Sequence, residues 1–229
     1  MKKLVVLSGA GMSADSGIPT FRGEDGLWEG HDVMEVASPQ GWAANKELVL
    51  DFYNFRRKKV LEVEPNQGHI ELVRLEKHFH TQIITQNIDD LHERAGSSNV
   101  IHLHGEILKS RSEINESLVY PCTEDIRLGD LAEDGAQLRP DIVWFGEMVP
   151  KMEEAALHCQ DADILVIVGT SMQVYPAAGL KEFAPTNCPI YALDPSQVEY
   201  SGRAADFVIQ DRASKGMSAL VDRIISDHG

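Results

Sequence analysis

Seven short apolar runs punctuate this chain: Leu4–Leu7, Gln82–Thr85, Val100–Leu103, Ile142–Phe145, Ile164–Val168, Ile190–Leu193 and Phe207–Ile209. They are rich in β-branched residues and each ends at small or polar ones. Continuously apolar strands, unlike alternating ones, suit a parallel sheet covered on both faces. Helical periodicity falls between them, clearest over Asn66–Lys77, Met152–His158, Ala177–Phe183 and Ser214–Ser226. Strand–helix alternation predicts an α/β fold with a doubly wound parallel sheet. Two stretches break the alternation. Residues 21–62 hold a Gly/Trp loop and then a helical pattern over Trp42–Val63, while residues 106–140 are polar, irregular and poorly periodic. Both are too long for ordinary βα connections and predict a small second module. A chain of 229 residues is long enough for a main domain plus such an appendage.

Lys and Arg number 21 against 36 Asp and Glu, a net charge of −15. That sign argues against non-specific binding to nucleic acid or membrane surfaces, and it does not repel a basic, lysine-bearing peptide. Cys122, Cys159 and Cys188 are odd in number and far apart, which points to a reducing compartment without a disulfide framework. The apolar run after Met1 is too short for a signal peptide, and no run approaches a membrane span. A cytoplasmic location is expected; the oligomeric state is left open, a monomer being the simpler expectation.

The first predicted strand runs into Gly9-Ala10-Gly11-Met12-Ser13-Ala14-Asp15-Ser16-Gly17. Glycines after a strand let backbone approach a pyrophosphate, and a following helix N-terminus offers N–H groups to the anion. By itself the pattern also describes a tight strand–helix turn. A hydride-transfer dehydrogenase would place a second strand with an acidic residue about 20 residues on. Here Pro19-Thr20-Phe21-Arg22-Gly23 and a Trp28 loop fill that space, so the nucleotide site is atypical, with Phe21 and Arg22 able to fold over a ligand.

The run GAGMSADSGIPTFRG (Gly9–Gly23) resembles the cofactor loop of the sirtuins, NAD-dependent protein deacylases. TQNIDDLHERAG (Thr85–Gly96), LHGE (Leu103–Glu106), RPDIVWFGE (Arg139–Glu147) and VGTSMQVYPAAGL (Val168–Leu180) resemble the family in the same order. The resemblance implies a Rossmann-like NAD-binding domain from residues 1–20, 63–105 and 141–229, with the small module in 21–62 and 106–140. It implies cleavage of the nicotinamide–ribose bond of NAD and transfer of the acyl group from lysine, giving nicotinamide and O-acyl-ADP-ribose. His104 matches the family's general base, and a histidine can take a proton from a ribose hydroxyl at neutral pH. His102 shares its strand face, and chemistry alone does not separate the two. Gln86, Asn87 and Asp89 match the Q-N-x-D motif, with Ile88 between them and Asn87 beside His104 in catalysis. Gly9, Ala10, Gly11, Ala14, Asp15, Phe21 and Arg22 would hold the cofactor, with Gly169, Thr170 and Ser171 as a second nucleotide turn. The family usually places an Asn where this chain has Ala192, so contacts from Ala192, Leu193, Asp194 and Ala213 would come from backbone. Phe145, Gly146 and Glu147 would line the peptide site.

Tyr53 and Arg56 lie three apart, on one helix face. A guanidinium binds a carboxylate through two parallel hydrogen bonds and a phenol adds a donor. This Y-x-x-R, with small Ala37 16 positions before Tyr53, resembles the sirtuin class that removes succinyl and malonyl groups from acyl-lysine proteins; some deacetylation is expected as well. The bland alternative is an amphipathic helix with Arg56 and Arg57 both solvated, and Arg57, about 100° away, is expected at the surface. An ADP-ribosyltransferase and a non-catalytic NAD-binding module are the competing functions; a base at His104 argues against the latter.

Most sirtuins carry two cysteine pairs between the catalytic His and the FGE strand. Between His104 and Phe145 this chain has Cys122 alone, with Ser110-Arg111-Ser112-Glu113 where the first pair is expected. One thiol does not make a tetrahedral site. No zinc or other metal is expected, and the small module is expected to rely on packing by Leu118, Val119, Tyr120, Pro121, Ile126, Leu128 and Leu131.

Overall fold

The computed structural model describes residues 1–20, 28–196 and 202–229. Among them the strands are β1 (Lys3–Ser8), β2 (His80–Thr85), β3 (Val100–His102), β4 (Gly105–Ser112), β5 (Val119–Pro121), β6 (Leu138–Ile142), β7 (Ile164–Val168), β8 (Ile190–Leu193) and β9 (Phe207–Ile209). The α-helices are α1 (Val33–Val36), α2 (Pro39–Ala44), α3 (Lys46–Glu62), α4 (Gln67–Leu75), α5 (Leu91–Ala95), α6 (Met152–Gln160) and α7 (Ala213–His228).

Six strands form a parallel sheet in the order β3-β2-β1-β7-β8-β9. The chain winds outward from β1 to β3, then crosses back to β7 and winds the other way. The switch lies between β1 and β7, the crevice where doubly wound sheets take ligands. Successive side chains of a strand face opposite sides. Leu4 and Val6 therefore pack with Leu72, Leu75, Met217 and Leu220 of α4 and α7. Val5 and Leu7 pack on the other face with Ala155 and Cys159 of α6 and with Leu180. The expected helix over Ala177–Phe183 is 3-10 in form.

The segment 106–140, expected to be irregular, instead carries most of an antiparallel sheet in the order β5-β4-β6, spanning Gly105 to Ile142. Its strands escape pattern reading because they bury polar side chains: Ser110, Arg111, Ser112 and Arg139 are all at most 6% exposed. The expected strand Ile142–Phe145 is displaced accordingly. β6 ends at Ile142, and beyond it Val143 N donates to His104 O (2.9 Å) and Phe145 N to Ala37 O (2.9 Å). The apolar character there serves a third core, in which Ile142 and Trp144 meet Val36, Ala37, Leu50 and Tyr53. The helical pattern over Trp42–Val63 is likewise two helices, divided at Asn45, whose side chain accepts from Leu48 N and caps α3.

Packing by the expected apolar set is also corrected. Ile126 is buried, but Val119, Leu128 and Leu131 are exposed. Polar groups fasten the module instead. Arg57, expected at the surface, is 1% exposed. Its Nε donates to Ile107 O (3.0 Å) and its Nη1 to Asn54 Oδ1 (2.7 Å) and Glu124 O (3.2 Å). Asn54 completes the clamp, donating to Ile126 O and accepting from Ile126 N, each at 2.9 Å.

Candidate active site

Two turns meet at the sheet's switch point, one after β1 and one after β7. Gly9 N donates to Val168 O (3.1 Å) and Gly11 N to Gly169 O (2.9 Å). A Cβ on Gly9 would stand 2.6 Å from Thr170 Cβ, one on Gly11 2.8 Å from Gly169 Cα, and one on Gly169 2.4 Å from Met12 N. The glycines thus serve the approach of the two turns, and the amides of Gly9 and Gly11 are already taken. No long helix follows; Ala10–Met12 and Ala14–Ser16 are single 3-10 turns. Asp15 faces away from this junction in its bonding, accepting from Arg212 Nη1 (3.0 Å) and Ser214 Oγ (2.5 Å), which draw its pKa down.

At the end of β2, Gln86 Nε2 donates to Thr170 Oγ1 (3.0 Å), tying this loop to the second turn. Asn87 Nδ2 donates to Ser13 Oγ (3.0 Å), and the nearby Ser13 side chain partly offsets the effect of burial on Asp89. Asp89 is 3% exposed and also accepts from Leu91 N (3.2 Å); burial raises its pKa. Asn87 and Ser13 are thereby linked, with buried Asp89 close by.

The two histidines, which only the family motif separates in sequence, differ in their bonding. His102 uses both ring nitrogens, Nδ1 on Asn87 O (3.0 Å) and Nε2 on Glu93 Oε1 (2.8 Å). Burial opposes its charge, but the hydrogen bond and charge of Glu93 outweigh it and raise the pKa. It is a satisfied, structural imidazole. His104 bonds Gln86 O through Nδ1 alone (3.1 Å). A carbonyl only accepts, so Nδ1 carries the proton and Nε2 keeps a lone pair. Burial lowers the His104 pKa, partly offset by the Gln86 carbonyl, so the ring is neutral and basic at pH 7. Gly105 follows at φ +83, where a Cβ would meet Asp141 O at 2.0 Å. Only glycine turns the chain there directly after His104.

Tyr53 and Arg56 are both buried on α3, with Tyr53 in the third core. Tyr53 is fully buried, and its hydroxyl accepts from Trp144 Nε1 (3.1 Å), leaving its own proton to donate. Burial pushes its pKa up, so it stays a phenol. Arg56 is 7% exposed, its guanidinium 4.4 Å from the Trp28 ring centre, and its Nε has no hydrogen-bond partner among the described residues. Ala37, 2% exposed, packs in the same core. Phe145 is partly exposed and Gly146 adopts φ +92. Glu147 accepts from Arg139 Nη1 and from Trp144 N, both at 2.7 Å, so its carboxylate holds this turn together.

Ala192 and Leu193 are buried inside the ladder of β8. The strand end at Asp194 stands nearer the surface, its Oδ1 accepting from Ser196 N (2.9 Å). Ala213 is buried at the start of α7; Ala14 and Ser171 are half-buried and Ile88 flanks the third core. Phe21 and Arg22 lie outside the described residues. Sequence reasoning missed Trp28, Glu29, Trp144 and Ser13; only Ser13 and Trp144 sit inside motifs that could have drawn notice. The cleft suits a dinucleotide: close-packed glycine turns, an adjoining set of amide, hydroxyl and carboxylate groups, and one neutral imidazole at a strand end. Among the described residues no cluster of metal-ligating side chains is present, and no helix is long and apolar enough to cross a membrane.

The model of the Sir2 family matches residues 9–176. A Helicobacter pylori (strain J99) protein named NAD-dependent protein deacylase is 60% identical, the match covering 98% of this chain and 96% of that protein. A Bacteroides thetaiotaomicron protein of the same name is 49% identical, covering 98% and 99%. Among solved structures, a Sir2 homolog–NAD complex superposes with TM-score 0.87 at 38% identity, covering 100% of this chain and 91% of the other. A mutant Sir2 homologue complexed with 2′-O-acetyl ADP ribose gives TM-score 0.87 at 37% identity, covering 100% and 94%.

Proposed function

The chain belongs to the Sir2 family and is an NAD-dependent protein deacylase; from that premise we propose that it acts chiefly on succinyl- and malonyl-lysine, with some deacetylation. The observation that carries the acyl preference is Arg56: a nearly buried guanidinium three residues along α3 from the buried phenol Tyr53, which shares a core with small Ala37. A buried cation calls for an anionic partner, and an acyl chain ending in a carboxylate supplies one. The ADP-ribosyltransferase alternative finds no comparable use for this pair.

When bound, NAD supplies the electrophilic ribose carbon and the nicotinamide leaving group. Nε2 of His104 is the atom that accepts a proton from a ribose hydroxyl, while Gln86 O holds the tautomer that makes this possible. Asn87, braced by Ser13, and nearby Asp89 orient the nicotinamide end of the cleft. The turns at Gly9–Gly11 and Gly169–Ser171 seat the phosphates and adenosine ribose, with Ala10, Ala14 and the β8 end beside them. Phe145 and Gly146 guide the peptide. The product is nicotinamide, free lysine and O-acyl-ADP-ribose.

The same reading takes no structural zinc. Cys159 and Cys188 are buried in the main sheet's core, and Cys122 is left alone in the small module that Arg57 and Asn54 clamp. Stoichiometric zinc persisting in metal-free buffer would overturn this. We take the enzyme to act as a cytoplasmic monomer on acyl-lysine proteins, its charge of −15 disfavouring nucleic acid. The test of function is steady-state kinetics with NAD and matched acetyl-, succinyl- and malonyl-lysine peptides. The expected result is higher kcat/KM for the two acidic acyl groups; equal values for all three would refute the preference.

A further inference from the structure

Arg56 already has an anionic neighbour. Its Nη1 lies 3.6 Å from Glu29 Oε1, the two side chains being 9% and 23% exposed. Glu29 sits in a built element. Trp28 and His31 exchange backbone hydrogen bonds (2.9 and 3.0 Å) across Glu29 and Gly30, which have φ of 51° and 82°. This is a two-residue turn with both central residues left-handed, a form that favours Asn-Gly or Asp-Gly and strains glutamate at its first position. The turn is anchored on α3, where Phe52 meets the Trp28 ring edge-on at 5.1 Å and the His31 ring at 5.7 Å. Trp28 stacks on the guanidinium that Glu29 faces.

The contact is a loose one. At 3.6 Å it is an ion pair beyond ordinary hydrogen-bond length, and Arg56 Nε has no hydrogen-bond partner among the described residues. A ligand carboxylate reaching a guanidinium side-on makes two shorter, charge-assisted bonds. We propose that Glu29 is a placeholder: it neutralises Arg56 in the ligand-free enzyme, and the carboxylate of an acidic acyl group displaces it. The exchange is charge for charge, so Arg56 is never buried unpaired and two carboxylates never share it. Acetyl-lysine has no carboxylate to exchange and leaves the Glu29–Arg56 pair in place, so the neutral acyl group does not confront a bare cation. Glu29 thereby sets how strongly acidic acyl chains are preferred. The inference rests on the acidic-acyl reading above.

Three variants separate the two. Glu29→Gln removes the charge, Glu29→Asp keeps the charge but shortens its reach, and Arg56→Met removes the seat; each is assayed with NAD and matched succinyl- and acetyl-lysine peptides. Both Glu29 variants are expected to lower KM for the succinyl peptide about three- to tenfold and to raise the succinyl-to-acetyl ratio of kcat/KM in proportion. An effect of Glu29→Gln without one of Glu29→Asp would mean general charge repulsion and would overturn the placeholder. Unchanged or raised succinyl KM in both would do the same. If Arg56→Met collapses the ratio while the Glu29 variants are silent, the acidic-acyl reading stands and only the role of Glu29 falls. If Arg56→Met leaves the ratio intact, both fall.

Discussion

His104, just beyond β3, and the glycine turns after β1 and β7 are placed by backbone, whereas in the proposed acyl pocket the groups are placed by other side chains. His104 takes its tautomer from a carbonyl, Gln86 O, and Gly9, Gly11 and Gly169 position two turns through main-chain bonds. In the pocket, Tyr53 is set by the Trp144 indole and Arg56 by the Trp28 ring and Glu29. A backbone-built site tolerates little variation in what it does, since its geometry belongs to the fold. A side-chain-built site can be retuned one residue at a time, and it is there that we propose the acyl preference resides.

The largest expected effect breaks the first region alone. His104→Tyr should lower kcat/KM by about 100- to 10,000-fold for every acyl group alike, with the thermal midpoint little changed. A loss confined to acidic acyl groups would move His104 into the wrong half of the comparison. Arg57→Met, one residue from Arg56, the proposed specificity arginine, should do the converse. It removes three hydrogen bonds of the buried clamp and is expected to destabilise by about 3 kcal/mol in urea unfolding, leaving the succinyl-to-acetyl ratio unaltered. A changed ratio with unchanged stability would mean that Arg57 belongs to the pocket.

The smallest effect concerns His102. Its folded pKa lies above the ordinary 6.5, so its imidazolium stabilises the fold fully at lower pH and that contribution fades as pH rises through the folded value. His102→Gln should therefore cost about 1–2 kcal/mol at pH 6 and less at pH 9, read from unfolding at each pH. The kcat/KM profile of wild type should keep its acid limb below pH 6.5, since burial lowers the pKa of His104. A pH-independent cost for His102→Gln would contradict the charged, bridging role.

The same division governs what could be read from sequence. β7, β8 and β9 occupy the residues that their apolar runs predict; β7 and β8 are buried on both faces and write an unbroken signal, while β9, at the sheet edge, leaves Val208 exposed. The small sheet leaves no such signal, since Arg111, Ser112 and Arg139 are buried where apolar residues are expected. The spacing predicts Arg57 at the surface if α3 buries a narrow face; instead it buries Leu50, Phe52, Tyr53, Asn54, Arg56 and Arg57, about half its circumference. The motifs identify His104, but only hydrogen bonding tells it from His102 on chemical grounds. Glu29 has no local signature at all, because its partner lies 27 residues further along the chain and they meet only in the folded protein.

The central claim is that one base serves all acyl groups while Arg56 distinguishes the acidic ones. It is tested most directly by kcat/KM for matched succinyl- and acetyl-lysine peptides in wild type and Arg56→Met. The predicted result is a roughly 10- to 100-fold fall in the succinyl-to-acetyl ratio, nearly all of it from the succinyl peptide. Equal losses for both peptides would contradict it.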